Sequence, residues 1–335
     1  MWAGVQRCAP QFRQPVSDVE AMSSAASNVP RRVYLRPDEV SHEIDESATQ
    51  ADSAEARANR VRQIAREAVT KLTDGRKPRL PMLPNVAARA MEVAGNPDVT
   101  VRELEALIQP DPMLTARIMS IANSPLYGRG GAIRSLRNAV MQLGVGLMRD
   151  VLYQSVAEAH IFRGSAEARL RRERLHAVAV GYLAREVFTL LGIGTEYAFL
   201  CGLMHDVGRP LIWQFFEETP PAGASDEDMT MAVEMTHPHV GAAVIDHWRL
   251  PALVKEAVRR HHKYRDFDDG TGYAQVGHAV AAAERVAAHV GLADDDRPQP
   301  ISEAGDQVLG ELGLHGDALA PLLQRAEDLQ RELSA

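Results

Sequence analysis

The stretch Ala198–Trp213, AFLCGLMHDVGRPLIW, places an adjacent histidine and aspartate inside an otherwise apolar sequence. The pair is His205-Asp206. A carboxylate among aliphatic groups needs a metal ion or a cationic hydrogen-bond donor, because its desolvation is otherwise too costly. Two interpretations follow. The pair serves metal-dependent chemistry, or it is structural, with Asp206 accepting hydrogen bonds or pairing with Arg209.

Helices are expected on both sides of this pair, separated by the polar break His205–Gly208. Turn and capping signals divide the rest of the chain in the same way: Thr100 and Glu103 form a capping box, and Ser135 caps a helix that ends at a Gly144–Gly146 hinge. No segment shows the period-two alternation of a strand. The sequence therefore predicts an all-α, multi-helix fold.

Changes in composition along the chain predict where its domains and linkers begin and end. Residues 1–56 are rich in Ser, Ala, Pro, Asp and Glu without periodicity, and we expect a disordered tail. The sequence of residues 57–79 predicts an amphipathic helix followed by a short linker. A dense run of helices follows over residues 80–292, and two amphipathic C-terminal helices are expected within residues 293–335.

Composition also excludes some classes of protein. The 335 residues carry a net charge of -8, which argues against a nucleic-acid-binding surface. No apolar run approaches the roughly 20 residues that span a bilayer. Cys8 and Cys201 are far apart, and no secretory signal is evident at the start. We therefore expect a cytoplasmic protein that contacts neither nucleic acid nor membrane.

Several motifs, in order, resemble those of the HDOD domain, a relative of HD-superfamily phosphohydrolases. The first, from Leu80, reads LPMLPNVAARAMEVAGNPDVTVRELEALIQPDPMLTARIMSIANSPLYG, and IRSLRNAVMQL follows from Ile133. AFLCGLMHDVGRPL, from Ala198, contains the His-Asp pair. HPHVGAAVIDHWRLP from His237 and EAVRRHH from Glu256 complete the pattern, which spans roughly residues 80 to 290.

The resemblance implies an HD-like helical fold with an N-terminal half at residues 80–161 and an HD-like half at residues 165–292. It implies a bacterial signalling output module that acts through contacts with signalling proteins, without catalysis. Two alternatives stay open. One is a metal-dependent phosphohydrolase or cyclic-dinucleotide phosphodiesterase, and the other is a nucleotide-binding sensor without turnover.

The resemblance also implies a set of metal ligands. HD hydrolases use a His, then a His-Asp pair, then a later Asp, and two-metal relatives add further histidines. The matching residues here are His176, His205, Asp206, Glu284, His237, His261 and His262. Such a set would suit a divalent transition metal such as Mn, Fe or Zn.

Four of these positions allow other interpretations. Glu284 stands where the pattern has Asp, and its extra methylene is expected to displace the oxygen, so that Glu284→Asp would tighten metal binding. His237 precedes Pro238 and is equally suited to capping a helix start. His261 and His262 near a helix C-terminus would favour the helix dipole when protonated.

Overall fold

A computed structural model describes most of the chain from residue 37 onward. The described residues are 37–73, 80, 89, 92–93, 96, 98–123, 132–162, 167–194, 196–266, 273–293, 297–302 and 306–334. The fold is all-α, and no strand occurs in these ranges. None of the helices in them is long and apolar enough to cross a membrane.

The helices are numbered here in chain order. They are α1 Pro37–Thr73, α2 Val101–Ile108, α3 Pro112–Ala122, α4 Leu136–His160, α5 Glu167–Leu190, α6 Ala198–Met204, α7 Gly208–Glu218, α8 Asp226–His247, α9 Ala252–Arg260, α10 Tyr273–His289, α11 Gln307–Glu311 and α12 Ala320–Ser334. Short 3₁₀ helices lie at Tyr264–Asp266 and Gly316–Ala318.

The chain divides into two units, Met1–Asp52 and Ser53–Ala335. The described part of the first unit is the helical stretch 37–52, so the helix begins earlier than the expected tail boundary at residue 56. Its Ala, Glu and Gln content favours a helix. The tail expected over residues 1–36 lies outside the described residues.

Helix α1 buries one face within the second unit. The apolar side chains of this face recur at helical spacing, and they are Val61, Ile64, Ala65, Ala68 and Leu72. Arg57 adds an ion pair to Asp228 at the start of α8, with 2.9 Å between Nε and Oδ1. The amphipathic helix predicted for this region is therefore present.

The N-terminal helices α2, α3 and α4 pack on one another. Thr100 caps α2 and forms the predicted capping box with Glu103. Ser135 caps α4, which is kinked at Gly144, where φ is 76° and ψ is 164°. A positive φ is readily reached by glycine, so the predicted hinge lies where the sequence indicated it.

Charged side chains connect this group to α5. Asp150 and Arg185 lie 2.5 Å apart between Oδ2 and Nη1, and Asp150 is buried. Glu158 of the same helix pairs with Arg117 of α3 and Arg174 of α5. Helix α4 is thus the element through which the N-terminal helices reach the HD-like half.

The HD-like half is built around α5, which packs on α6, α10 and α12. Helix α9 contacts α6, α8 and α10, and α7 packs along α8. A Cβ at Gly202 would lie 2.5 Å from the carbonyl oxygen of Val180, and one at Gly208 would lie 2.1 Å from that of His237. Glycine at these two crossings therefore allows the backbones to approach closely.

The buried Asp150 carboxyl predicts a pH-dependent stability. Burial raises its pKa to about 6, although the nearby Arg185 and Arg149 act in the opposite direction. The folded chain therefore keeps this proton over a range in which the unfolded chain, with a pKa near 3.9, releases it. The free energy of unfolding should fall as the pH rises from about 4 to about 6.

As the pH rises from ~4 to ~7, the wild type should lose up to about 3 kcal/mol of its free energy of unfolding because Asp150 must ionise. Asp150→Asn should not show this loss, because its side chain does not ionise. Urea unfolding of both proteins at the two pH values measures this difference. Asp246→Asn, which removes an exposed carboxylate paired with Lys255, is the matched control. A difference between wild type and Asp150→Asn that does not change with pH would contradict the burial argument.

Candidate metal centre

Five helices of the HD-like half bring all seven predicted ligands into one cluster. The residues are His176 in α5, His205 and Asp206 directly after α6, His237 in α8, His261 and His262 directly after α9, and Glu284 in α10. Five of the seven are buried, whereas Glu284 is half-buried and His262 is exposed. The cluster therefore extends from the core to the surface.

The predicted break between two apolar helices positions the His-Asp pair. Helix α6 ends at Met204 and α7 begins at Gly208. Backbone bonds from Val207 N to the Met204 carbonyl, 3.0 Å, and from Arg209 N to the Asp206 carbonyl, 2.9 Å, hold the turn. The pair thus projects into the interior from a tight connection between two buried helices.

Asp206 lies between two groups of histidines. Its Oδ1 is 3.2 Å from Nε2 of His237 and 3.2 Å from Nε2 of His261. Its Oδ2 is 3.5 Å from Nε2 of His205 and 3.8 Å from Nε2 of His176. One carboxylate therefore faces a different pair of imidazoles with each oxygen.

Two ligand groups result from this arrangement. His176, His205 and Glu284 form one group, and Asp206 with His237, His261 and His262 forms the other. Within each group, the potential ligand atoms lie within 4.8 Å of one another. Glu284 belongs to the first group although its side chain is one methylene longer than that of aspartate.

The protonation of four rings follows from their hydrogen bonds. Each has its Nδ1 next to a backbone carbonyl oxygen, and the pairs are His176–Leu292, 2.7 Å, His205–Gly202, 2.6 Å, His237–Val233, 3.1 Å, and His261–Val258, 2.8 Å. A carbonyl only accepts, so Nδ1 must donate. In the neutral ring, Nε2 then carries a lone pair that points into the cluster.

These lone pairs face one another. The Nε2 atoms of His176 and His205 are 3.2 Å apart, and those of His237 and His261 are 3.4 Å apart. Oδ1 of Asp206 is buried, and the polar atoms described next to it are Nε2 of His237 and Nε2 of His261. Facing acceptors repel unless a cation lies among them, so the donor set fits divalent metal ions.

Burial and neighbouring charges favour the protonation states that a metal requires at His205 and Asp206, whereas at His261 the adjacent Asp206 carboxylate outweighs burial and raises the pKa of the ring. Burial lowers the pKa of His205 well below its usual value, which keeps this ring neutral. Burial alone would raise the pKa of Asp206, but His205, His237 and Arg209 outweigh it and hold that pKa well below its usual range. Neutral imidazoles and an ionised carboxylate are the ligand forms.

Arg209 lies near Asp206, as the structural interpretation of the His-Asp pair requires. Its Nε is 3.7 Å from Oδ2 of Asp206 and 3.4 Å from Oε1 of Glu173. Its closest ion pair, at 2.8 Å, joins Nη2 to Oε1 of Glu234. Arg209 therefore contributes positive charge near Asp206 without making a direct hydrogen bond to that carboxylate.

The turn after α10 supports His176. Gly291 has φ 79°, and Leu292 N donates to the Ala287 carbonyl at 3.0 Å. This glycine-terminated helix end directs the Leu292 carbonyl at His176 Nδ1. The sequence signal was a glycine after an apolar helix, but its link to a histidine more than 100 residues earlier is visible only in three dimensions.

His237 and His261 were both expected at helix ends, and this expectation holds only for His261. His237 lies inside α8, which continues through Pro238, so it does not begin a helix. The apolar face of α8, which packs on α7, keeps the helix continuous across the proline. His261 directly follows α9 and donates to a carbonyl of its last turn, so the expected location near a helix C-terminus is confirmed.

A cavity of about 550 Å³ opens beside the cluster. Its walls include His176, His261, His262 and Glu284 from the ligand set. Metal ions bound here would supply a Lewis acid and a water molecule of lowered pKa. The protein side chains would hold those ions and leave one side of the cluster accessible to a ligand.

Comparison with known proteins identifies the fold family. Residues 80–264 match the HDOD domain. A solved structure from Shewanella amazonensis, named as a candidate metal-dependent phosphohydrolase, is 22% identical, with a TM-score of 0.62 and coverage of 81% of this chain and 99% of that one. An HDOD domain protein of unknown function from Geobacter sulfurreducens is 22% identical with a TM-score of 0.56, over 83% and 94% of the two chains.

Curated relatives match a shorter part of the chain. A protein of unassigned function from Treponema pallidum is 25% identical over 55% of this chain, and ribonuclease Y from Lactobacillus acidophilus is 24% identical over 49% of it. The matches span only 37% and 26% of those relatives. The solved structures therefore support the shared fold, and the match over residues 80–264 shows that the chain belongs to the HDOD domain family.

Proposed function

We propose that this HDOD domain protein is a metal-dependent phosphohydrolase that holds two divalent transition-metal ions, such as Mn, Fe or Zn, in the seven-residue cluster. The observation that carries the proposal is the convergence of Nε2 lone pairs on both oxygens of Asp206. Each oxygen faces one ligand group, as a carboxylate shared between two ions would.

The energetic cost of the cluster supports a bound cation. His205, His237 and His261 are each at most 1% exposed, and Asp206 is 5% exposed. Buried polar groups without hydrogen-bond partners destabilise a fold. Four separate Nδ1 bonds orient the rings so that their unprotonated nitrogens meet, and metal binding turns this repulsive arrangement into a favourable one.

One of the fold neighbours is named for this class of chemistry. The Shewanella amazonensis protein is named as a candidate metal-dependent phosphohydrolase, and its likeness concerns the fold. The substrate proposal therefore rests on the ligand set and the adjoining cavity. A net charge of -8 favours a small phosphate ester or cyclic dinucleotide over a nucleic acid.

A second candidate function is that of a signalling output module that binds other signalling proteins without turnover. HDOD membership favours it, and a similar fold from Marinobacter aquaeolei is named as a candidate signal transduction protein. Met231 and Met235, one turn apart on α8, are 43% and 56% exposed. Exposed methionines on one helix face suit a protein contact.

Metal binding should stabilise the fold. After chelation and dialysis, addition of Mn²⁺, Fe²⁺ or Zn²⁺ at about 100 times its dissociation constant should raise the free energy of unfolding by about 3 kcal/mol. His205→Ala and Asp206→Asn should abolish the gain. His239→Ala removes an exposed histidine of α8 and serves as the control. If the wild type neither retains metal nor gains stability from it, the metal centre is rejected.

Glu284→Asp should weaken metal binding on the order of tenfold. The physical reason is that the Glu284 oxygen already lies within the His176–His205 group, so a side chain shorter by one methylene withdraws it. Competition with a fluorescent chelator measures the affinity. Tighter binding by the aspartate variant would show instead that the glutamate is a poor fit.

Hydrolysis distinguishes the two candidate functions. The metal-loaded chain should cleave aryl phosphate esters or cyclic dinucleotides, with a loss of at least about 100-fold in kcat/KM for Asp206→Asn, since both ligand groups share this carboxylate. Phosphate release and nucleotide chromatography are the measurements. Metal binding without turnover would support the signalling module, and nucleotide binding alone would support a sensor.

A further inference from the structure

The cavity beside the ligand cluster has a second, basic wall. Tyr264, Arg265 and Arg285 line it together with Gln299 and Val308. Tyr264 stacks on His278 with ring centroids 4.0 Å apart, which fixes the 3₁₀ helix that carries Arg265. The cavity therefore has metal-ligating side chains on one wall and two guanidinium groups on another.

One wall belongs to the C-terminal segment, defined here as residues 297–302 and 306–311. It docks on α10 through backbone hydrogen bonds, from Gln299 N to the Ala288 carbonyl at 2.8 Å and from Ile301 N to His289 Nδ1 at 3.0 Å. His278 Nε2 donates to the Val308 carbonyl at 2.8 Å. The segment thus covers the cavity from the side of α10.

The two arginines are bound to this segment in different ways. Arg285 donates to Asp306 Oδ2 at 2.6 Å and to the Gln299 and Pro300 carbonyls at 2.8 and 3.3 Å, so it anchors the segment. The Arg265 side chain is 48% exposed, and its ion pair is with Glu311, 2.9 Å from Nη2 to Oε1. Its Nε also lies 3.0 and 3.1 Å from the two oxygens of Glu311.

We propose that Arg265 is the anion-binding residue of this cavity and that Glu311 competes with a ligand phosphate group for its guanidinium. A guanidinium group donates two parallel hydrogen bonds to a carboxylate or to a phosphate in the same geometry. An exposed ion pair is weak, so a phosphate that enters the cavity exchanges with Glu311 at little cost. Arg285 stays with its three partners and holds the segment in place.

This exchange couples ligand binding to the C-terminal segment. In the structure, Glu311 joins α11 to Arg265, and Val308 of the same helix lines the cavity. When phosphate takes the guanidinium, α11 loses that contact and opens more readily. By linkage, any change that detaches Glu311 must strengthen phosphate binding to the same extent.

The segment would thereby regulate access to the proposed metal centre, and to that extent the inference rests on the proposed function. The anion site itself does not require a metal, so the two are tested separately. Glu284 is the negative group on the cavity wall, and it weakens phosphate binding when no metal compensates its charge. All variants below retain Glu284, so ratios of their affinities are unaffected.

The test uses the full chain after chelation, with inorganic phosphate as the probe and isothermal titration or NMR titration as the readout. We expect Glu311→Gln to bind phosphate several-fold more tightly than the wild type and Arg265→Gln about tenfold more weakly. Asp328→Asn is the matched control, because it removes one carboxylate from a comparable exposed pair with Arg331 outside the cavity wall.

Amide hydrogen exchange over residues 306–311 separates competition from a merely structural contact. Phosphate should accelerate exchange there in the wild type and have no further effect in Glu311→Gln. Equal phosphate affinities in wild type, Glu311→Gln and Arg265→Gln would overturn the proposal. So would faster exchange in Glu311→Gln without any gain in phosphate affinity, because that result assigns the pair to segment stability alone.

Discussion

The shared carboxylate of Asp206 is the group on which the surrounding structure depends. It is buried, and each of its oxygens faces two imidazole nitrogens. Four of the imidazole rings donate a hydrogen bond from Nδ1 to a backbone carbonyl, and these bonds fix both the orientation and the tautomer of each ring. An apolar interior makes such an assembly costly unless positive charge lies within it. The arrangement is therefore understandable as a ligand set and difficult to explain as core packing.

The helices around Asp206 are arranged so that these rings can meet. Gly202 and Gly208 let the short helices before and after the His-Asp pair approach their neighbours more closely than any side chain would allow. Gly202 also provides the carbonyl for His205, and the turn at Gly291 presents the one for His176. Packing and ligand orientation thus use the same residues, so a change in the helix crossings would also disturb the cluster.

The C-terminal segment gives the cluster a boundary. Arg285 anchors it through three hydrogen bonds, whereas Arg265 holds Glu311 at an exposed edge. The two arginines line the same cavity but differ in how firmly they are engaged. The proposed metal centre at one end and the proposed exchangeable guanidinium at the other would together suit a phosphate-bearing ligand, and the C-terminal segment would regulate access to it.

The sequence by itself determined the all-α class, the hinge at Gly144 and the break at His205–Gly208, because these follow from local periodicity and turn chemistry. The seven clustered residues were implied by the resemblance to the HDOD domain and its HD relatives. The sequence did not determine that α8 continues through Pro238 or that Glu284 reaches the histidines. Those outcomes depend on helix spacing, and the tautomers and the Arg265–Glu311 pair depend on contacts between distant segments. Only the tertiary structure decided them, since local sequence carries no information about which carbonyl or carboxylate a side chain will meet.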